Sequence, residues 1–304
     1  MTPEIERILR AAGEAADDAV DLGDTALALA AADMPDLVLD PYRAHLARLA
    51  RETGARAAAL AAGLPDADPA RAQARALADV LAGDYGYDGD RVTYDDVANA
   101  NLVRVIDRRR GLPVALGVLY IHAGRTNGWR ISGVNFPGHF LVRLNGRIAG
   151  GPAPVLVDPF AGGRILDEAT LEALYARMRG LDAAAEPADA RGDAPADAGA
   201  GLEAACAPVS ARAVLLRLQN NIYTRALERR DGARAAAILE RMLAIAPREA
   251  MLWHERGRLD AQAGNMLAAR SAYGRAAELA LERGRTELAR EAQRQLDRLR
   301  RRLN

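Results

Sequence analysis

From residue 3 to about residue 84 the apolar side chains recur at helical spacing: Ile5, Ile8 and Leu9, then Leu27 and Leu29, then Leu46, Leu49 and Ala50, then Leu77, Val80 and Leu81. A helical front portion is predicted. Asp40-Pro41 places a capping residue ahead of a proline at the first helical position, and Gly63-Leu64-Pro65 ends the helix that follows. Residues 82–97 break the pattern with Gly83, Gly86 and Gly89 among several Asp and Tyr, which is the chemistry of a loop built from turns. Helical periodicity resumes over 97–109 and again over 113–126, where Val114, Leu116, Val118, Leu119, Tyr120 and Ile121 leave almost no polar face. Such a helix is a buried one. Past Asn127-Gly128, residues 130–134, 139–144 and 154–158 have strand texture and predict a small antiparallel sheet packed on that helix. The fold class expected is α+β, mostly helical.

Residues 182–205 are dominated by Ala, Asp, Pro, Gly and Glu, and Leu202 stands at one edge of the tract. That composition buries too little surface to offset its ordering entropy, so a mobile linker is predicted over 182–208 between domains 1–181 and 209–304. Beyond it a 34-residue period is visible. Counting from Ala250, the residues Trp253, Gly257, Ala269, Tyr273 and Ala276 fall at the tetratricopeptide signature places. One period earlier Ala235, Leu239, Met242 and Pro247 do the same, so units at 216–249 and 250–283 are expected, with a capping helix over 285–303.

Composition narrows the functional classes. Lys+Arg and Asp+Glu total 41 each, so the formal charge is zero, and neither nucleic acid nor a membrane surface is expected as a partner. The basic runs at 108–110 and 298–302 lie inside helical patterns and read first as solvated faces. A single cysteine, Cys206, excludes an intrachain disulfide and any cysteine-based metal cluster, which fits a reducing compartment. With no signal-type leader and no long uncharged apolar stretch, the chain is expected to be cytoplasmic. His45 and His254 lie on amphipathic helices without a ligand pattern and His122 within the buried helix, so no metal and no cofactor are expected.

Three separated motifs then stand in order: Arg108-Arg109-Arg110-Gly111-Leu112-Pro113, Gly133-Val134-Asn135-Phe136-Pro137-Gly138-His139-Phe140-Leu141-Val142-Arg143, and Asp158-Pro159-Phe160-Ala161-Gly162-Gly163. Together with the Gly86-Tyr87-Asp88-Gly89 loop they resemble the SirB1 family, over most of the chain. The resemblance implies a transglutaminase-like, papain-type core followed by tetratricopeptide repeats. In active members of that superfamily a Cys at the start of the central helix attacks an acyl carbon, a strand His takes its proton and an Asp on the next strand orients the imidazole. Here His139 and Asp158 match the base and the acid, but the nucleophile falls within Pro113, Val114 and Ala115, none of which is nucleophilic. The position is held by Ala115.

Two readings of the pair stay open. It either acts catalytically or is a structural hydrogen bond tying neighbouring strands, and the second is favoured. Cys206 has no cationic neighbour in sequence, and Ser132 and Thr126 lie at the far end of the helix, so none replaces the thiol. Arg108, Arg109 and Arg110 stand before a helix N-terminus and form a candidate anion clamp, with pairing to Asp107 as the bland alternative. The function expected is therefore a non-catalytic regulatory or interaction protein that binds a protein or peptide through 209–304. The rival is an acyl or amide hydrolase or transferase using His139 and Asp158 with another nucleophile.

Overall fold

The structure, a computed structural model, describes residues 1–34, 36–63, 68–145, 154–182 and 198–303. The chain divides into two compact units, Asp17–Leu218 and Met1–Ala16 with Gln219–Asn304. This is not the expected partition into 1–181, 182–208 and 209–304. The first helix, α1 (Pro3–Glu14), counts with the C-terminal helices, because its apolar stripe of Ile5, Leu9 and Ala12 is buried there. Thr2 Oγ1 accepts from the Ile5 N–H to start α1, and Pro3 follows at the first helical position. At its other end Gly13 lies so close to the Ala244 carbonyl that a Cβ would overlap it.

The larger unit opens with α2 (Leu22–Ala31), nearly every residue of which is buried, capped by Asp21 accepting from the Asp24 N–H at 3.0 Å. Then come α3 (Asp40–Gly63) and α4 (Pro69–Leu77), the latter running on as a π-helical turn through Asp84. Two-residue strands β1 (Asp88–Gly89) and β2 (Arg110–Gly111) pair in parallel on either side of α5 (Leu102–Arg108), which ends with Arg109 in the left-handed region at φ 57°. Next is the central helix α6 (Pro113–Thr126), buried all round as its composition predicts. Leu112 precedes Pro113 as its cap and donates its N–H to the Asn99 carbonyl at 2.9 Å.

The sheet that packs on α6 is made of β3 (Ile131–Val134), β4 (Leu141–Leu144), β5 (Val155–Asp158), β6 (Arg164–Leu166) and β7 (Pro208–Val209), in the order β6-β5-β4-β3-β7 and antiparallel throughout. Phe140 reaches from just before β4 onto α6 where Gly117 and Gly133 leave room for its ring; a Cβ at either would overlap it. The opposite face carries Val134, Phe136, Leu141, Leu156 and Leu166, covered by Leu171, Leu174 and Tyr175 of α7 (Glu168–Asp182) and by Leu202 of α8 (Ala198–Ala205). Of the tract expected to be a mobile linker, 198–205 is thus helical and 208–209 is an edge strand, while 183–197 lies outside the described residues.

From α9 (Ala211–Glu228) onward the chain is helical: α10 (Gly232–Ile245), α11 (Ala250–Gln262), α12 (Met266–Glu282) and α13 (Thr286–Leu303). Gly257 lets α11 approach α12, since a Cβ there would lie 2.8 Å from the Tyr273 ring. Trp253 is built into this packing, donating from Nε1 to the Pro247 carbonyl at 2.8 Å. Among the described residues no helix is long and apolar enough to cross a membrane.

Candidate functional site

The first turn of α6 presents no chemistry. Val114 is 2% exposed and Ala115 is fully buried, and no thiol or hydroxyl stands at 113–115. The helix N-terminus would favour a thiolate there, but it faces an apolar side chain. On the same helix Tyr120 is buried with its hydroxyl unpartnered among the described residues, and burial, then the Asp158 and Asp88 charges, push its pKa up.

His139 stands two residues before β4 rather than at its start. Gly138, at φ 68°, turns the chain, and the His139 N–H donates to the Phe136 carbonyl at 2.9 Å. Its half-buried ring lies 6.4 Å from that of Phe136, which belongs to the α7-facing cluster. Asp158 ends β5 as expected. Its Oδ1 accepts from the Phe160 and Ala161 N–H groups at 2.9 and 3.2 Å, capping the 3-10 turn 159–161, and Gly162 and Gly163 follow at φ 63° and 75°. His139 and Asp158 share no hydrogen bond and no ion pair with each other. The β4–β5 register accounts for this: Val142 pairs with Val157, which sets Leu141 opposite Asp158 and leaves His139 beyond the ladder.

A group that sequence reasoning missed holds this turn. Arg217 of α9 donates to Asn135 Oδ1 at 2.9 Å and to the His139 carbonyl at 3.2 Å, and its guanidinium lies 5.6 Å from the Phe140 ring centroid. Burial pulls its pKa down, while the nearby Tyr94 acts the other way. The available signal is a cation flanked by the apolar Val214, Leu215 and Leu218, at the point where the first expected repeat unit, 216–249, begins.

All of these residues fall within 40–220, the stretch that matches the transglutaminase-like superfamily. The chain belongs to that superfamily. It is similar to the UPF0162 protein of Vibrio cholerae, 35% identical over 170 residues that cover 56% of this chain and 59% of the relative. The UPF0162 protein of Xylella fastidiosa strain 9a5c is 33% identical over 191 residues, covering 61% and 60%. A shorter likeness joins it to mouse F-box only protein 21, 37% identical over 57 residues, or 19% of this chain and 9% of that one. The chain thus spans about 60% of the length of the UPF0162 relatives. No solved structure matches.

Within the transglutaminase-like core the three arginines diverge. Arg108 donates to Asp90 Oδ2 at 3.0 Å. Asp90 also accepts from the Thr93 hydroxyl, then from the Thr93 and Val92 N–H groups, and these bonds hold its carboxyl well below the usual range. Arg109 donates from Nη1 to both Tyr87 Oη and His45 Nε2, the latter at 2.8 Å, with its guanidinium 4.7 Å from the Tyr87 ring centroid. Tyr87 Oη lies 2.7 Å from His45 Nε2 as well. Because a guanidinium only donates, Nε2 accepts and His45 is neutral. Burial, then Arg109 and Arg48, pull its pKa down to about 4. Arg110 reaches the Gly86 and Arg109 carbonyls.

The remaining candidates sit apart. Cys206 packs against the α7-facing cluster, and burial pushes its thiol up. His122 lies against Gly23 with its pKa lowered by burial, and His254 packs edge-on against Tyr273 at 5.2 Å. Among the described residues no group of three or more His, Cys, Asp or Glu could hold a metal ion.

Proposed function

We propose that this protein is a non-catalytic interaction protein of the SirB1 type: a transglutaminase-like core without a nucleophile, followed by tetratricopeptide-like helices that bind a protein or peptide partner and through it exert a regulatory effect in the cytoplasm. The observation that carries this reading is the start of α6. Acyl transfer by this superfamily needs a thiolate at the helix N-terminus within reach of an imidazole, and here that turn is Pro113, Val114 and a fully buried Ala115.

The rest of the geometry supports it. A general base takes a proton about 3 Å away, and in a triad a carboxylate orients it, whereas here Asp158 Oδ1 caps its own turn and His139 packs beside Phe136. Among the described residues Ser132 Oγ and Tyr120 Oη are buried without hydrogen-bond partners, so neither is an activated hydroxyl. The rival hydrolase or transferase reading keeps only the sequence positions of His139 and Asp158. An anion clamp at Arg108–Arg110 is disfavoured because Arg108 and Arg109 are engaged by the core itself.

The test is partner capture by the full chain, by its His139→Ala variant, and by a chain cut after Leu218. Retention by His139→Ala with loss on removal of the C-terminal helices is expected. A partner that stays bound without those helices, or none lost in either case, sinks the reading.

A further inference from the structure

The zero formal charge of the chain is the sum of two opposite halves. Residues 1–16 and 219–304 hold 20 Arg against 14 Asp and Glu, a net of +6, while residues 17–218 hold 21 against 27, a net of −6. Most of the basic excess is in one place. Residues 283–303 contain 8 Arg and 3 acidic residues. The basic run at the C-terminus, which reads in sequence as a solvated face, therefore belongs to a unit with a positive field of its own.

Local pairing neutralises part of that helix. Arg290 pairs with Glu287, Arg294 with Glu291, and Arg300 with Asp297 at 3.6 Å. Among the described residues Arg298 makes no hydrogen bond or ion pair, and Arg301 bonds through Nε to the Asp297 carbonyl at 3.4 Å but has no acidic partner. These two side chains stand one helical turn apart. Both line a cleft of about 440 Å³ with Ala261, Tyr273, Gln295 and Leu299. Its floor is apolar: Tyr273 is 3% exposed and Leu299 5%, within a cluster that includes Ala269.

We propose that this cleft docks an acidic protein segment, whose carboxylates pair with Arg298 and Arg301 while an apolar side chain between them rests on Tyr273 and Leu299. The inference deepens the interaction reading above and rests on it. Guanidinium groups take carboxylates bidentately, and an unneutralised pair at the rim of an apolar cleft gives both attraction and register. A nucleic-acid backbone fits less well. It needs a continuous basic track, and here neighbouring arginines are neutralised by Glu287, Glu291 and Asp297.

The experiment is fluorescence anisotropy with the full chain and three probes: a labelled peptide of Asp and Glu with one central Leu, the same peptide with Gln and Asn for the acids, and a DNA oligonucleotide of equal length. The acidic peptide should bind in low salt and weaken as salt rises. Arg298→Glu with Arg301→Glu should weaken it about tenfold or more, and the neutral peptide should not bind. Because both side chains are exposed, Arg298→Gln with Arg301→Gln serves as a milder variant whose melting curve should match that of the parent. Absence of binding, binding indifferent to both double variants, or DNA binding more tightly than the peptide would overturn the proposal. A natural partner that needs the C-terminal helices yet still binds the double variants would sink this cleft alone and leave the interaction reading standing.

Discussion

Two polar clusters in the transglutaminase-like core use the same kinds of side chain in opposite ways. At His45, Tyr87 and Arg109 the side chains converge on one another: a guanidinium donates to both a phenol and an imidazole, and its central carbon lies 4.7 Å from the Tyr87 ring centroid. At His139 and Asp158 each polar group is used locally, the carboxylate by its own turn and the histidine backbone by Phe136 and Arg217. The first is a network and the second two separate fixtures. Networks are costly to disturb because each member removed leaves others desolvated and unpaired, whereas single caps are worth roughly one hydrogen bond each. The cluster that looks more like an active site by connectivity is thus the one that holds α3, the 85–89 loop and the end of α5 together.

The largest effect should come from breaking the network. Arg109→Met should lower stability in urea unfolding by about 2 to 3 kcal/mol, since it removes two charge-assisted bonds at one stroke. A loss no greater than that of His139→Ala would erase the contrast between the clusters. The pH dependence follows next. A folded pKa of about 4 for His45 against 6.5 unfolded means that the unfolded chain binds the extra proton first. Stability is full above pH 6.5 and falls as pH drops towards 4, by on the order of 1 to 2 kcal/mol once solvent screening of the half-exposed ring is allowed for. His45→Gln should flatten that slope in thermal melts taken between these limits.

Smaller effects are expected on the other side of the comparison. Asp158→Ala should cost about 1 kcal/mol through the lost cap, and Asp158→Asn much less, because the cap requires an acceptor and not a charge. An Asp158→Asn loss equal to that of Asp158→Ala would show that the charge itself matters. His139→Ala should cost no more than about 0.5 kcal/mol.

How far the fold was legible depended on whether side chains or backbone made each element. The central helix 113–126 and the strands near 130–134, 139–144 and 154–158 were readable because burial imposes a pattern on their side chains. The pair β1–β2 and the edge strand β7 were not, since two-residue strands are held by backbone bonds that leave no periodicity. Residues 198–205 read as linker because Ala and Gly carry little signal, yet Leu202 packs under the sheet. Nor could helical spacing in α1 say which unit its stripe of Ile5, Leu9 and Ala12 would cover. In the site, the lack of a thiol or hydroxyl at Pro113-Val114-Ala115 is plain from the sequence, but the separation of His139 from Asp158 depends on register and on the turn at Gly138.

The non-catalytic proposal for this core is that it does no acyl chemistry. It is tested most directly by following hydrolysis of an activated ester, a thioester and a glutamine-containing peptide amide, with and without an added amine acceptor, by the wild-type chain and its His139→Ala variant side by side. Both are expected to remain at the buffer rate for every substrate. Turnover by the wild-type chain that disappears in His139→Ala would contradict it.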